Sequence, residues 1–295
     1  MSHAPEAEFA VTAELVTALL RAQHPDLAEL PVVHAAHGWD NDVFRLGDAL
    51  AVRMPRRALA RDLIASELEW LPLLAPTLPV AIPAAVRGGV PALGYPWPWA
   101  VVPWFDGVSA ATVEPVLRDA YAEPLAAFFA ALHRPAPANA PVNPFRGGGV
   151  ESRTDPVAER RALLAGARTD LGPLDALWHS GLAASPHAGD SVWLHGDPHP
   201  HNVVVDAETG RLRAVVDFGD ITSGDPASDL GMAWLHFTAS GRARFFDAVG
   251  LDTHTHRRAR AWAVHYTLMM LLLPATSPLR GVGEHALGQL GDERA

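Results

Sequence analysis

Apolar and polar positions change rhythm near residue 106. Before it, short alternating runs dominate. Val43–Leu46 and Ala49–Met54 alternate as strands on either side of a Gly47-Asp48 turn. Another strand is expected around Val32 and Val33, with His37-Gly38-Trp39-Asp40-Asn41-Asp42 as a polar connection. Pro83–Val86 and Trp99–Phe105 read as two further strands of the same antiparallel sheet. Helical spacing appears twice. Thr12 caps a helix reaching about His24, with Leu15, Val16, Leu19 and Leu20 on one side and Pro25 as its stop. A second runs from about Arg57 to Leu74 through Leu59, Leu63, Ile64, Leu68 and Leu71, and Pro72 predicts an early end or a kink.

After Asp106-Gly107 the helical period takes over. One long helix is expected over 113–133, then a Pro- and Gly-rich surface loop over 135–149, then helices at 156–166 and 173–183. Two short apolar runs, before His195 and before Asp217, read as buried strands. Asp225-Pro226 opens a helix that runs through Leu230, Trp234 and Phe237. Helices over 242–249, 255–273 and 281–290 complete the pattern. This gives an α+β chain: a small antiparallel-sheet lobe over 1–105 and a larger, mainly helical lobe over 106–295.

Composition narrows the chemistry. There is no cysteine, which removes disulfides, thiolate nucleophiles and Cys-type zinc sites. The formal charge of -10 argues against nucleic acid as a partner and suits a cationic ligand. All 23 basic residues are arginine, so any role usually given to lysine must fall to arginine. The longest apolar run, Ala261–Leu273, is too short to span a bilayer and reads as a buried helix, so no membrane partner is expected. The opening residues Met1–Glu6 show no basic segment followed by an apolar one; with the missing cysteines, this gives a cytoplasmic expectation.

The densest chemistry lies in His195-Gly196-Asp197-Pro198-His199-Pro200-His201-Asn202 and in Asp217-Phe218-Gly219. Asp197 and Asn202 stand five positions apart on a short loop between strands, the spacing of the catalytic loop in protein kinases. A phosphoryl acceptor needs a carboxylate near its hydroxyl and oxygen ligands for a cation close by. Each residue alone suits a turn. The combination, with Asp217 fifteen residues after Asn202, favours catalysis. Three histidines in the same stretch leave a zinc-dependent hydrolase as another reading.

His195-Gly196-Asp197-x4-Asn202, Asp217-Phe218-Gly219-Asp220 and Gly224-Asp225-Pro226-x2-Asp229-Leu230 together resemble the aminoglycoside phosphotransferase family. Gly38-Trp39-Asp40-Asn41, Arg53 and Tyr95-Pro96-Trp97-Pro98-Trp99 extend the resemblance towards the N-terminus. It implies a bilobal, protein-kinase-like fold and a small-molecule kinase using ATP or GTP with Mg²⁺. It implies Asp197 as catalytic base, Asn202 and Asp217 as Mg²⁺ ligands, and His195 and Asp229 as supports of the catalytic loop. Asp225 joins the supports as a helix cap. Arg53 occupies the place of the usual strand lysine, with Glu67, or alternatively Glu69, as its acidic partner. The segment 100–107 occupies the place of the hinge, so adenine contacts fall to the Pro103 carbonyl and the Phe105 N–H. Gly38 and Asn41 are candidates to cover the phosphates. An aminoglycoside-type antibiotic is the expected acceptor, with a role in resistance. Kinases of choline, homoserine, methylthioribose, macrolides and cyclic peptides are alternatives, as is a nucleotide-binding pseudokinase without turnover.

Overall fold

The computed structural model describes residues 6–168 and 170–293. Residues 1–5, part of the stretch used for the leader reading, lie outside it. The described chain divides into two compact units. The first holds the residues up to Thr77, Ala81–Asp106 and Asp217–Gly219; the second holds Leu78–Val80, Gly107–Val216 and the residues from Asp220 onward.

In the first unit, α1 (Ala13–Gln23) starts at Thr12, whose hydroxyl accepts from the Leu15 N–H, and buries Val16, Leu19 and Leu20. Strands β1 (Val32–His37), β2 (Asn41–Leu46) and β3 (Leu50–Pro55) follow, then α2 (Leu59–Leu74), β4 (Arg87–Gly89) and β5 (Trp99–Pro103). They form one antiparallel sheet in the order β1-β2-β3-β5-β4. Phe44, Leu46, Val52, Met54, Trp99 and Val101 pack beneath it with the apolar side of α1. Pro72 lies inside α2 without ending it early. The expected strand at Pro83–Val86 forms instead at Arg87–Gly89. Pro83 has no N–H to give a ladder. Gly89 is required opposite Trp99, whose ring a Cβ there would meet at 1.8 Å. The strand expected to reach Phe105 ends at Pro103.

The second unit is mainly helical: α3 (Pro115–Arg118), α4 (Ala122–Leu132), α5 (Thr154–Ala165), α6 (Gly172–Leu182), α7 (Ala227–Leu230), α8 (Ala233–His236), α9 (Ala239–Val249), α10 (Thr253–Leu271) and α11 (Pro278–Gly291). Short strands support its loops. β6 (Val108–Ser109), β8 (Val203–Val205) and β9 (Leu212–Val215) form one sheet; β7 (Val192–Leu194) pairs with β10 (Thr222–Gly224). The single helix expected over 113–133 is broken at residues 119–121. Pro124 lacks an N–H, and its ring clashes with the carbonyl four residues back, so it sits in the first turn of a new helix. The helix expected through Phe237 is divided at Gly231-Met232 into α7 and α8.

α10 is the axis of this unit and packs against α5, α6, α7, α8 and α11. It is buried on nearly every side, so its sequence has no one-sided apolar stripe. Its buried guanidinium groups are paired: Arg258 with Asp225 at 2.7 Å and Arg260 with Glu293 at 3.3 Å. Among the described residues, no helix is long and apolar enough to cross a membrane.

Candidate functional site

The loop between β7 and β8 is fixed mainly through its backbone. Asp229, on α7, accepts the His195 N–H at 2.8 Å on one carboxylate oxygen and the Gly196 N–H at 2.9 Å on the other. His133 Nε2 lies 3.1 Å from the same carboxylate. The His195 ring is fully buried. Its Nε2 donates to the Val216 carbonyl at 3.0 Å, and its Nδ1 accepts the Asp197 N–H at 3.2 Å. Both nitrogens are thereby engaged, which leaves His195 unsuited to a zinc ligand. Gly196 has φ +90°, and a Cβ there would meet the Asp220 carbonyl oxygen at 2.1 Å. Asn202 donates its side-chain N–H to the Asp197 carbonyl at 2.9 Å. Asp225 accepts the Ala227 N–H at 3.0 Å, as a cap does, and also holds Arg258.

These bonds leave the Asp197 carboxylate about a quarter exposed. Arg146 Nη2 lies 3.1 Å from Oδ1, and His199 Nε2 lies 3.5 Å from Oδ2. Burial alone would raise the pKa of Asp197. His199, Arg146 and His195 outweigh it and hold the carboxyl below its ordinary range. At neutral pH the group is therefore an acceptor, able to orient a hydroxyl and take its proton.

Arg146 was not a candidate on sequence. It lies in the Pro- and Gly-rich segment 135–149, where loop composition hides a charged residue with a fixed position. Its guanidinium is shared between Asp197 and Asp220, 3.1 Å from each, and lies 5.6 Å from the Tyr266 ring centre. Asp220 also accepts from the Asn143 side chain at 2.9 Å. It is thus occupied, although its sequence position suits surface or a contact to a ligand amine. Asp252 caps α10.

The first unit gathers a different set. Arg53 on β3 is buried and ion-paired with Glu67 on α2, while Glu69 is exposed. Arg53 Nη2 lies 3.7 Å from Asp217 Oδ1. Burial disfavours the guanidinium charge, but Glu67 and Asp217 more than offset this and raise its pKa. Asp217 itself has φ +61°, a left-handed conformation uncommon for a residue with a side chain. Its carboxylate is 59% exposed and free to meet a cation. The Asn202 amide points its N–H at Asp197, leaving its carbonyl oxygen as the donor. A carboxylate and an amide oxygen are the hard ligands that Mg²⁺ takes, so both residues fit that ion chemically.

Backbone alternation sets which way the polar groups of residues 103–105 point. The Trp104 N–H donates to the Ala49 carbonyl at 2.8 Å. The Pro103 carbonyl and the Phe105 N–H therefore face the opposite way, past the end of β4, which stops pairing with β5 at Val101. At the β1–β2 turn the Gly38 N–H donates to the Asn41 carbonyl at 2.8 Å, and Arg56 holds the Gly38 carbonyl at 3.0 Å. Asn41 Oδ1 is buried without a hydrogen-bond partner among the described residues. A cavity of about 560 Å³ in the second unit is lined by Gly147, Glu151, Asp225 and Arg258 among others, and not by Asp197.

Comparison with known proteins adds the family. The profile of the phosphotransferase enzyme family matches residues 32–263. No curated protein sequence matches the chain. Among solved structures, the GDP complex of wild-type aminoglycoside 2'-phosphotransferase-IIIa superposes with a TM-score of 0.66 at 19% identity, covering 95% of this chain and 99% of that one. The apoenzyme of macrolide 2'-phosphotransferase MphH from Brachybacterium faecium gives 0.61 at 20% identity, covering 96% and 99%. The ternary complex of streptomycin, ATP and APH(2")-IIa gives 0.58 at 18% identity, covering 95% and 97%. At such identities the likeness establishes a shared fold.

Proposed function

The chain belongs to the phosphotransferase enzyme family, and on that premise we propose that it transfers the γ-phosphoryl group of ATP or GTP to a hydroxyl of a small molecule. The observation that carries this reading is the Asp197 carboxylate: its backbone is anchored by Asn202 and His195, its charge is retained, and its side chain is still reachable.

Asp197 accepts a hydrogen bond from the acceptor hydroxyl and takes its proton as the oxygen bonds to the γ-phosphorus. The bond from that phosphorus to the bridging oxygen breaks, and the nucleoside diphosphate leaves. Arg53, ion-paired with Glu67, binds phosphate oxygens through its fork of N–H donors. Pro103 and Phe105 present one acceptor and one donor to the base, and the turn of Gly38 and Asn41 covers the phosphates. Asn202 and Asp217 would each offer an oxygen to Mg²⁺, which would supply neutralisation of phosphate charge. His195, Asp225 and Asp229 keep the loop in register.

Several structural neighbours are kinases of aminoglycosides or macrolides, and the overall charge of -10 favours a cationic member of such a panel. The test is release of ADP or GDP over aminoglycosides, macrolides and metabolic alcohols, with Asp197→Ala as control. Acceptor-dependent release that the variant loses is expected. Full activity in Asp197→Ala removes that residue from the mechanism. Mg-nucleotide binding without turnover on any hydroxyl leaves the pseudokinase reading; failure to bind either nucleotide ends the kinase reading.

A further inference from the structure

β1 is an edge strand of its sheet, and its side chains depart from strict alternation. His34 and His37 stand three positions apart, a spacing that puts two residues on opposite faces of a regular strand. A bulge between His34 and Ala36 inserts one residue. His34 lies opposite Phe44, Ala36 opposite Val43 and His37 opposite Asp42. Asp42 and Phe44 are two positions apart on β2 and share its buried face. The bulge therefore brings both imidazoles to the side of the Asp42 carboxylate. Their ring centres are 4.1 Å apart, and His34 meets the Phe44 ring edge-on at 5.1 Å.

His37 Nδ1 pairs with Asp42 Oδ1, and His34 Nε2 lies 3.7 Å from the same oxygen. One nitrogen of each ring and a carboxylate oxygen of Asp42 all fall within 4.8 Å of one another. Tetrahedral donors about 2.1 Å from a zinc ion are roughly 3.4 Å apart, so small ring rotations close the set. The Asp42 carboxylate is buried, whereas the His34 and His37 side chains are 35% and 60% exposed, which leaves an ion a way in. Arg56 Nε stands 3.6 Å from the other Asp42 oxygen, Oδ2, and its Nη1 donates to the Gly38 carbonyl. It thus keeps Oδ1 turned towards the imidazoles, as outer partners of metal ligands do. At 3.6 Å it is beyond hydrogen-bond reach of a buried carboxylate, whose charge still calls for compensation. A cation among the three donors supplies it.

We propose that His34, His37 and Asp42 form a site for one divalent transition-metal ion, with zinc as the reference and water as the fourth ligand. Two imidazoles and a carboxylate suit zinc, cobalt, nickel or copper, whereas magnesium takes oxygen ligands. The ion is therefore chemically distinct from the Mg²⁺ assigned to Asn202 and Asp217. Its ligands come from both sides of the turn that carries Gly38 and Asn41, so bound metal staples β1 to β2 at the edge of the sheet. All three belong to the first unit, and the site stands or falls without the kinase reading.

The test uses the full-length protein without a histidine tag, stripped by a chelator. It is titrated with Zn²⁺ by calorimetry and with Co²⁺ by visible absorption. One Zn²⁺ per chain is expected, together with tetrahedral Co²⁺ bands that Zn²⁺ erases and excess Mg²⁺ does not. His34→Gln, His37→Gln and Asp42→Asn should each weaken zinc at least about tenfold. The two histidine variants replace exposed side chains and should melt like the metal-free parent. Zn²⁺ should raise the melting temperature of the parent but not of the double histidine variant. Absence of binding at submillimolar Zn²⁺ overturns the proposal. So does binding that either histidine variant leaves unchanged; retention in His34→Gln reduces the cluster to a hydrogen bond between His37 and Asp42.

Discussion

In the first unit Arg53 is fixed side chain to side chain, by a buried pairing with Glu67 and the nearby charge of Asp217. In the second, Asp197 is fixed through its backbone. His195 takes its N–H, Asn202 takes its carbonyl, and Asp229 anchors the two residues before it. The difference fits the roles proposed for each group. A phosphate-binding cation can be locked in a plane before its ligand arrives. A base must keep its side chain accessible, so only the main chain beneath it can be immobilised. Removing a partner in the first unit therefore strands a charge, whereas removing one in the second displaces a reactive atom.

Asp197→Ala gives the largest expected effect. General-base contributions are on the order of 10²–10⁴ in rate. Turnover should fall by that amount in the diphosphate-release assay, with nucleotide affinity and melting temperature nearly unchanged. Comparable loss of nucleotide binding would erase the distinction between the two regions.

The Arg53 pair comes next. Arg53→Ala leaves Glu67 buried without its partner, a loss of about 3–5 kcal/mol, read as a lower urea midpoint. Arg53→Met combined with Glu67→Leu should regain most of that stability while nucleotide binding stays lost. Recovery of both would make the pair purely structural.

Acid should separate the units further. His236 and His265 are buried and held at about 3, first by desolvation, against 6.5 for a free imidazole. Their folded pKa is the lower one, so the unfolded chain binds the protons first. The stability from keeping them neutral is complete above about pH 6.5 and is lost as pH falls towards 3, about 2 kcal/mol for each at pH 5. Both belong to the second unit. Hydrogen exchange at pH 5 against pH 7 should accelerate in α8 and α10 before it does in β1–β3. Uniform acceleration would contradict this assignment.

The smallest change is a control. Thr12→Ala removes the cap of α1 and should cost about 1 kcal/mol. Turnover and nucleotide affinity should stay at parental values. A change in either would tie α1 to a site from which its described contacts separate it.

Much of the fold was legible where one side of an element is dry and the other wet. α1 and β2 have such faces; β3 is buried on both sides and is marked instead by the Gly47-Asp48 turn before it, and the expected positions of all three lie within a residue or two of the observed ones. The break at 119–121 was less visible, because apolar periodicity continues across Pro124 while the backbone cannot. The strand at Arg87–Gly89 was hidden for another reason: its pairing depends on the ring of Trp99, ten residues further along. In the candidate site, Asp197, Asn202 and Asp217 stand out because their spacing is local. Arg146 acquires its place only when residues 146, 197, 220 and 266 meet, and no local pattern records that meeting.

Arg53 also has a practical consequence. A strand lysine in a kinase-like fold offers an amine that acylating nucleotide probes can modify. A guanidinium stays protonated and is a poor nucleophile, and this chain has no lysine elsewhere to take its place. Activity-based profiling built on lysine acylation would leave this enzyme unlabelled even when its nucleotide site was full. Reagents directed at arginine, or photocrosslinking nucleotides, are the appropriate means of detecting it.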